Sequence, residues 1–186
     1  GGSLQIAGAV AVNGVVNLDN TYGGTAGVGG TPTSGYITTA NYSTLATTGH
    51  AVQTTTGALS AVKGVTINAI SYGNYGLYST QAISSSTGNI VVTGISFANR
   101  GISQDGTTTA SAGNVTLNGT TTNQYGVYTS ALITANNITV TGTASTAVAG
   151  WVVQVNAMTI NSGSTGGDIT ITATGAAAGG GNGLYQ

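Results

Sequence analysis

The chain has 186 residues, which is enough for one domain, and 40% of them are hydrophobic, so it can bury a core. Only 3% of the residues are charged, against about a quarter in ordinary domains, and the formal net charge is −1. This charge gives no long-range attraction to nucleic acid or anionic lipid, and no apolar run approaches the roughly 20 residues of a membrane helix. We therefore expect no nucleic-acid partner and no membrane insertion by this segment.

The first third of the chain resembles the later pattern only loosely. Leu4 precedes Gly14, and Ile37 precedes Gly49, at spacings near those of the later units. We therefore predict that strands open at Leu4 and at Ile37. The glycine-rich stretch 22–35 interrupts this pattern and is predicted to be an inserted loop.

Two markers recur along the chain, with intervals of 25 residues from Val65 to Ile90 and from Ile90 to Val115 and intervals of 23 and 31 residues after that, a period typical of stacked repeats. The first is the apolar opening of a strand, and it occurs at Val65, Ile90, Val115, Ile138 and Ile169. The second is a glycine followed by an apolar residue. It gives a predicted inward column that contains Val15, His50, Leu77, Ile102, Val127, Trp151 and Leu184. Threonine, valine, isoleucine and tyrosine dominate these units, and such residues favour strands over helices.

Repeated short strands of this kind predict a solenoid. A single unit cannot bury its own apolar side chains, so neighbouring units must stack. Crossovers between parallel strands are right-handed by default. We predict an all-β, right-handed parallel β-helix with about 25 residues per coil and roughly seven partial coils, in which residues 1–186 are a single segment of a longer repeat protein.

Polar residues at fixed places in the repeat give three candidate surface features. The turns before the strand openings carry a predicted amide ladder of Asn89, Asn114, Asn137 and Asp168. The outward positions of the opening strands form a predicted array of Thr66, Asn68, Thr93, Thr116, Asn118, Thr139, Thr141, Thr170 and Thr172. Arg100 stands where the flanking units have Tyr75 and Tyr125, which predicts a cation–π stack on the outer surface.

The sequence gives little support for an active site. Glycoside hydrolysis needs two carboxyl groups within about 5–9.5 Å, whereas Asp19 and Asp105 are predicted to lie three coils apart in one column. Asp168 replaces a ladder asparagine, and His50, the single histidine, has no predicted partner for a triad or a metal site. We therefore expect no catalytic residue, no metal ligand and no cofactor.

The repeated sequence resembles the passenger repeats of filamentous-haemagglutinin-like proteins and autotransporter adhesins. The resemblance lies in the segments that begin at Gly88, Gly113 and Asn136, "GNIVVTG", "GNVTLNG" and "NNITVTG", together with "YGLY" and "YGVY". It implies a right-handed β-helix at the bacterial cell surface with adhesive or structural work. Partners would then be neighbouring coils, further copies end to end, glycans or other cells.

Two other functions fit the same pattern. The scarcity of charged residues leaves open coil edges unprotected, as in a self-assembling extracellular filament or surface-layer subunit. The threonine array is similar to the surfaces of ice-binding β-solenoids.

Overall fold

The computed structural model of the protein describes residues 4–20, 49–145, 151–161, 167–176 and 182–185. The predicted loop 22–35 and the predicted strand opening at Ile37 lie outside these residues. The described part consists of strands and turns, and it holds no helix that is long and apolar enough to cross a membrane.

The strands are short, and most of them alternate buried and partly exposed residues. In chain order they are β1 (Leu4–Gln5), β2 (Val10–Val12), β3 (Val15–Asn20), β4 (Val52–Thr54), β5 (Leu59–Ala61), β6 (Gly64–Ser71), β7 (Leu77–Ser79), β8 (Ile83–Ser85), β9 (Ile90–Ser96), β10 (Ile102–Gln104), β11 (Thr108–Ala110), β12 (Val115–Thr121), β13 (Val127–Ala135), β14 (Ile138–Ala144), β15 (Trp151–Ile160), β16 (Ile169–Thr174) and β17 (Asn182–Tyr185).

Each strand pairs in parallel with the equivalent strand of the next coil, which makes the fold a β-solenoid. One sheet has six strands in the order β16-β14-β12-β9-β6-β3. The other has eleven strands and contains the file β1-β4-β7-β10-β13, which β15 and β17 extend. About four turns lie roughly 25 residues apart along the chain, and partial coils continue the stack at both ends. The all-β, parallel, stacked fold predicted from the sequence is confirmed.

The register of the predicted column of opening residues is confirmed, and the column is buried except at its last member, Ile169, which is 43% exposed. Val65 pairs with Ile90, Ile90 with Val115, Val115 with Ile138, and Ile138 with Ile169. The first four of these side chains are at most 1% exposed, and β9, β12 and β14 share one alternating burial pattern. Like residues therefore lie above like residues, and the core runs along the solenoid axis as files of aliphatic side chains.

The predicted alignment of the first third is wrong. Leu4 does not open a strand of the six-stranded sheet; it pairs with Val52 in the other sheet, and Val16 pairs with Val65. Ala51 occupies the place that glycine holds in the next coils, because its N–H donates to Tyr75 O as the N–H of Gly76 donates to Arg100 O. A small residue suffices at this corner, so the positions of the glycines alone do not locate this coil.

The column predicted after the glycines is correct only in part. Leu77, Ile102 and Val127 are register partners and are completely buried. Their neighbours in the file are Val52 and Val153, and the predicted members His50 and Trp151 each lie two residues earlier. Val15 pairs with Gly64 in the other sheet and is 49% exposed. His50 and Trp151 therefore belong to the outer surface, where they change the composition of the candidate site.

Candidate functional site

Three corner turns at the ends of β6, β9 and β12 present a row of side chains on the outside of the solenoid. Each turn is held by a buried hydroxyl on the last residue of the strand. Ser71 Oγ accepts the N–H of Asn74 at 3.1 Å, and Ser96 Oγ accepts the N–H of Asn99 at 2.8 Å. Thr121 Oγ1 plays the same part in the third turn. Such local hydroxyl-to-backbone bonds fix a turn, so the residue just after it is placed reproducibly in each coil.

Arg100 leaves the second of these turns and lies among tyrosine rings. Its Cζ is 5.6 Å from the ring centroid of Tyr75, 5.0 Å from that of Tyr125 and 4.0 Å from that of Tyr128. Its Nη1 donates to Ser103 Oγ at 3.1 Å, while its buried Nε has no hydrogen-bond partner among the described residues. All three ring distances lie within the range of about 6 Å over which a cation is attracted to a ring face.

The same arrangement continues to both sides of Arg100. His50 stacks on Tyr75 at 4.9 Å and contacts Tyr78 at 4.7 Å, and Trp151 contacts Tyr185 at 5.3 Å. Each of His50, Arg100 and Trp151 thus contacts a tyrosine of the following coil. We call this surface the aromatic strip, and its members are His50, Tyr75, Tyr78, Arg100, Tyr125, Tyr128, Trp151 and Tyr185.

A cleft of about 460 Å³ lies at one end of the aromatic strip. It is lined by Tyr128, Thr129, Ser130, Gln154, Val155, Asn156 and Tyr185. Thr129 and Val155 are buried and form its base, while the others are partly or fully exposed. The cleft therefore combines two aromatic side chains with amide and hydroxyl groups.

A β-bulge accompanies the cleft. The pairing of β13 with β15 shifts by one residue between Thr129 and Leu132. Asn156 Nδ2 donates to Ser130 O at 2.9 Å, and Ser130 Oγ donates to Asp105 Oδ1 at 2.7 Å. Bulges disrupt the ladder locally and re-aim side chains, and they are common beside functional sites.

The structure brings the predicted ladder residues together. Asn137 Nδ2 donates to Asn114 Oδ1 at 2.9 Å, which is an amide-to-amide link. The other links run from backbone to side chain, because the N–H of Asn114 donates to Asn89 Oδ1 and the N–H of Asp168 donates to Asn137 Oδ1, both at 2.9 Å. These bonds tie successive turns and give the ladder a structural role.

The structure also brings the predicted surface array together on the outer face of the six-stranded sheet. One row is Thr66, Val91, Thr116, Thr139 and Thr170, and the next is Asn68, Thr93, Asn118, Thr141 and Thr172. Register partners are about 4.8 Å apart across a parallel sheet. Val91 and the two asparagines interrupt the threonines.

The carboxylate side chains are scattered. Asp19 pairs with Asn68 in the six-stranded sheet, and so it does not share a column with Asp105, which faces Ser130. Within the described ranges no three of the His, Cys, Asp and Glu side chains are grouped as a metal site would require. Burial lowers the pKa of His50, which favours its neutral form in the ring stack.

Sequence reasoning missed most of the aromatic strip. Only Tyr75, Arg100 and Tyr125 were predicted to lie together, although Tyr78 and Tyr128 recur three residues after the first and last of these. That repeated tyrosine pair was the available signal. The cleft has no such signal, because it depends on the bulge.

Neither a protein-family model nor a curated protein nor a solved structure matches this chain.

Proposed function

We propose that the chain is a non-enzymatic, extracellular rod segment of a large secreted bacterial surface protein, and that the aromatic strip is its adhesive face. The proposal rests on one observation above all. Eight ring or guanidinium side chains follow one another along the side of a stacked, almost uncharged solenoid. The resemblance to filamentous-haemagglutinin-like passenger repeats supports the same assignment.

The chemistry of the aromatic strip favours adhesion over catalysis. Aromatic side chains offer apolar faces with polar edges, and such rings dominate contacts at many binding surfaces. The strip offers no nucleophile paired with a general base, since its only titratable imidazole, His50, is packed between Tyr75 and Tyr78. A rod with repeated binding sites along one face binds more tightly overall, because several weak contacts form at the same time.

The test is a binding assay on surfaces. The 186-residue chain is labelled and applied to arrays of glycans and extracellular-matrix proteins and to whole cells. We expect saturable binding to at least one of these surfaces. A variant with Tyr78→Ser, Tyr128→Ser and Tyr185→Ser should lose at least tenfold in apparent affinity.

Tyr72→Ser is the matched control, because Tyr72 stacks on Phe97, outside the strip. Its binding should equal that of the unmodified chain. An unmodified chain that binds none of these surfaces contradicts an adhesive function. Equal binding by the triple variant, folded as judged by circular dichroism, would show that the aromatic strip is not the adhesive face.

Self-assembly into an extracellular filament is a second candidate, supported by the ends of the stack. Among the described strands, β3 and β16 end the six-stranded sheet, and Ile169, the last residue of the column that begins at Val16, is 43% exposed. Both strands belong to the same file, so β3 of a second copy would continue the buried columns of β16 and give an open, head-to-tail polymer. Fibres with a spacing near 4.8 Å would support this function, and a concentration-independent monomer in sedimentation would oppose it.

Ice binding is a third candidate, supported by the two in-register rows of the surface array. It predicts thermal hysteresis that is lost when Thr116 and Thr139, which pair directly, are both replaced by leucine. The adhesive proposal predicts no thermal hysteresis and unchanged adhesion of the same variant. The one variant therefore separates the two functions.

A further inference from the structure

We propose that the cleft at the end of the aromatic strip binds one neutral hexopyranose unit of a glycan. This inference rests on the proposed adhesive function and names the ligand of that face. Tyr128 and Tyr185 form the two walls, Gln154 lies between them, and Ser130 and Asn156 complete the polar side of the cleft.

The spacing of the walls fits a saturated six-membered ring. Tyr128 pairs with Gln154, and Gln154 pairs with Tyr185, so the two tyrosines stand on alternate coils. Two strand spacings put their backbones roughly 9.6 Å apart. A ring in van der Waals contact with both walls, at about 3.5–4.0 Å on each side, requires roughly 7–8 Å. The shorter Gln154 leaves that space open between the two tyrosines.

Each wall is braced by a side chain of the preceding coil, Arg100 for Tyr128 and Trp151, which shares a strand with Gln154, for Tyr185. Tyr128 contacts the Arg100 guanidinium at 4.0 Å and the ring of Tyr125 at 5.6 Å. Tyr185 contacts Trp151 at 5.3 Å. Side chains that are held before binding lose less conformational freedom on binding. The bracing thus lowers the entropic cost of binding, which matters most for a ligand that makes few contacts, such as a single sugar ring.

The polar groups of the cleft favour a neutral ligand with many hydroxyls. The Gln154 and Asn156 amides can donate and accept hydrogen bonds, the Ser130 hydroxyl oxygen can accept them, and none of these groups is charged. Ser130 Oγ already donates to the Asp105 carboxylate on the neighbouring coil, which places a negative charge beside the cleft and disfavours an acidic sugar. Aromatic walls with a few convergent polar groups are typical of small-molecule sites.

The chain carries its own optical probe for this site. Trp151 is the only tryptophan, and it contacts the Tyr185 wall. Maltotriose, cellotriose and tri-N-acetylchitotriose are titrated as neutral probes, and tri-galacturonate as the acidic comparison. We expect at least one neutral trisaccharide to change the Trp151 emission in a saturable way, with a Kd on the order of millimolar, and tri-galacturonate to bind more weakly.

Calorimetry on two variants locates the site. Tyr185→Leu removes a wall, and Gln154→Leu removes the central amide while keeping its size, so each should weaken binding of the active trisaccharide by about tenfold or more. Tyr72→Leu, which lies outside the cleft, should leave the Kd unchanged. Thermal melts establish that each variant is folded, and because the two substitutions act on different groups, either folded variant suffices for the test.

Failure of this inference is distinct from failure of the proposed function. The inference is overturned if no neutral trisaccharide binds at 50 times the expected Kd, if tri-galacturonate binds more tightly than all of them, or if every cleft variant that folds binds as the unmodified chain does. If the chain nevertheless adheres to a surface through the aromatic strip, the adhesive function stands without the sugar site. If it adheres to nothing, the adhesive function fails as well.

Discussion

Replacing Gly101 by alanine should destabilise the solenoid severely. A Cβ atom on Gly101 would lie 2.6 Å from Gly94 O, 2.6 Å from Thr120 N and 2.7 Å from Gly126 O. All three are backbone atoms, and they belong to three different segments of the stack, so no side-chain rotation can relieve the contact. The substitution must therefore push coils apart.

The expected magnitude follows from these contacts. Overpacking in a well-packed core costs about 1–3 kcal/mol when side chains can adjust. Because only backbone can move here, we expect a loss of about 3 kcal/mol or more, which for a domain of this size lowers the Tm by roughly 6–12 °C. Circular dichroism during thermal and urea denaturation measures both quantities.

Gly14→Ala is the matched control. A Cβ there would meet nothing within 4 Å, and its φ lies outside the positive range that disfavours alanine. Its stability should stay the same or rise by about 0.4–1 kcal/mol, since alanine reduces the freedom of the unfolded chain. A Gly101→Ala variant whose melting temperature equals that of the unmodified chain would refute the close approach of the coils and the reasoning built on it.

Three further substitutions test single contacts. Asn114→Ala should lower the free energy of unfolding by about 1–2 kcal/mol in urea titrations, because it removes the acceptor for Asn137 Nδ2. An unchanged urea midpoint would show that the ladder does not stabilise the fold. Arg100→Met keeps the length of the side chain but loses the charge, so double-mutant cycles with Tyr128→Leu should give a coupling of about 0.5–1 kcal/mol, and a coupling of zero would contradict the cation–π contact. Burial lowers the pKa of His50 below its unfolded value of 6.5, so the unfolded state takes up the proton more readily. Stability should therefore rise as the pH increases through the folded pKa toward 6.5 and then level off. A His50→Asn variant should lack this step, whereas an identical pH profile would assign the step to other groups.

The middle of the fold was predictable because its period is constant. Between Val65 and Val115 the register partners in successive coils keep one unchanged spacing along the chain. Side chains at equivalent positions of the repeat therefore point in the same direction, and the spacing alone predicts the buried columns. Alternation of apolar and polar residues fixes the register, since a slip by one residue would turn every buried side chain outward.

The first coil was not predictable by the same means. Leu4 and Val52 are partners although nearly two coil lengths of sequence separate them, so the period fails where the stretch 21–48 intervenes. A spacing argument cannot locate a partner when the separation departs from one coil length. Ala51 also contributed to the wrong alignment, because it occupies the corner position that is a glycine in the next coils.

The candidate site was predictable only along the stacking direction. Equal position in the repeat placed Arg100 between Tyr75 and Tyr125, and the observed distances agree with that placement. The shortest contact of Arg100 is with Tyr128, which does not occupy the equivalent position in its coil. This contact depends on how far the Arg100 side chain extends beyond its turn, which the spacing does not predict. The cleft depends on a single extra residue in β13, which changes the spacing of partners in β13 and β15 only from 26 to 25 residues, and so it does not stand out among the unequal spacings of the later coils.

Disulfide formation between neighbouring coils tests the stacking register most directly, because the native chain contains no cysteine. Thr93 and Asn118 are register partners on the outer face, so their Cα atoms lie about 4.8 Å apart, within the range that a disulfide spans. Thr93 and Thr116 are displaced by two residues, which puts them about 8 Å apart and beyond that range. With cysteines at 93 and 118, mild oxidation followed by mass spectrometry should give an intramolecular disulfide in higher yield than with cysteines at 93 and 116. Equal cross-linking of the two pairs, or preference for the second, would contradict the in-register solenoid.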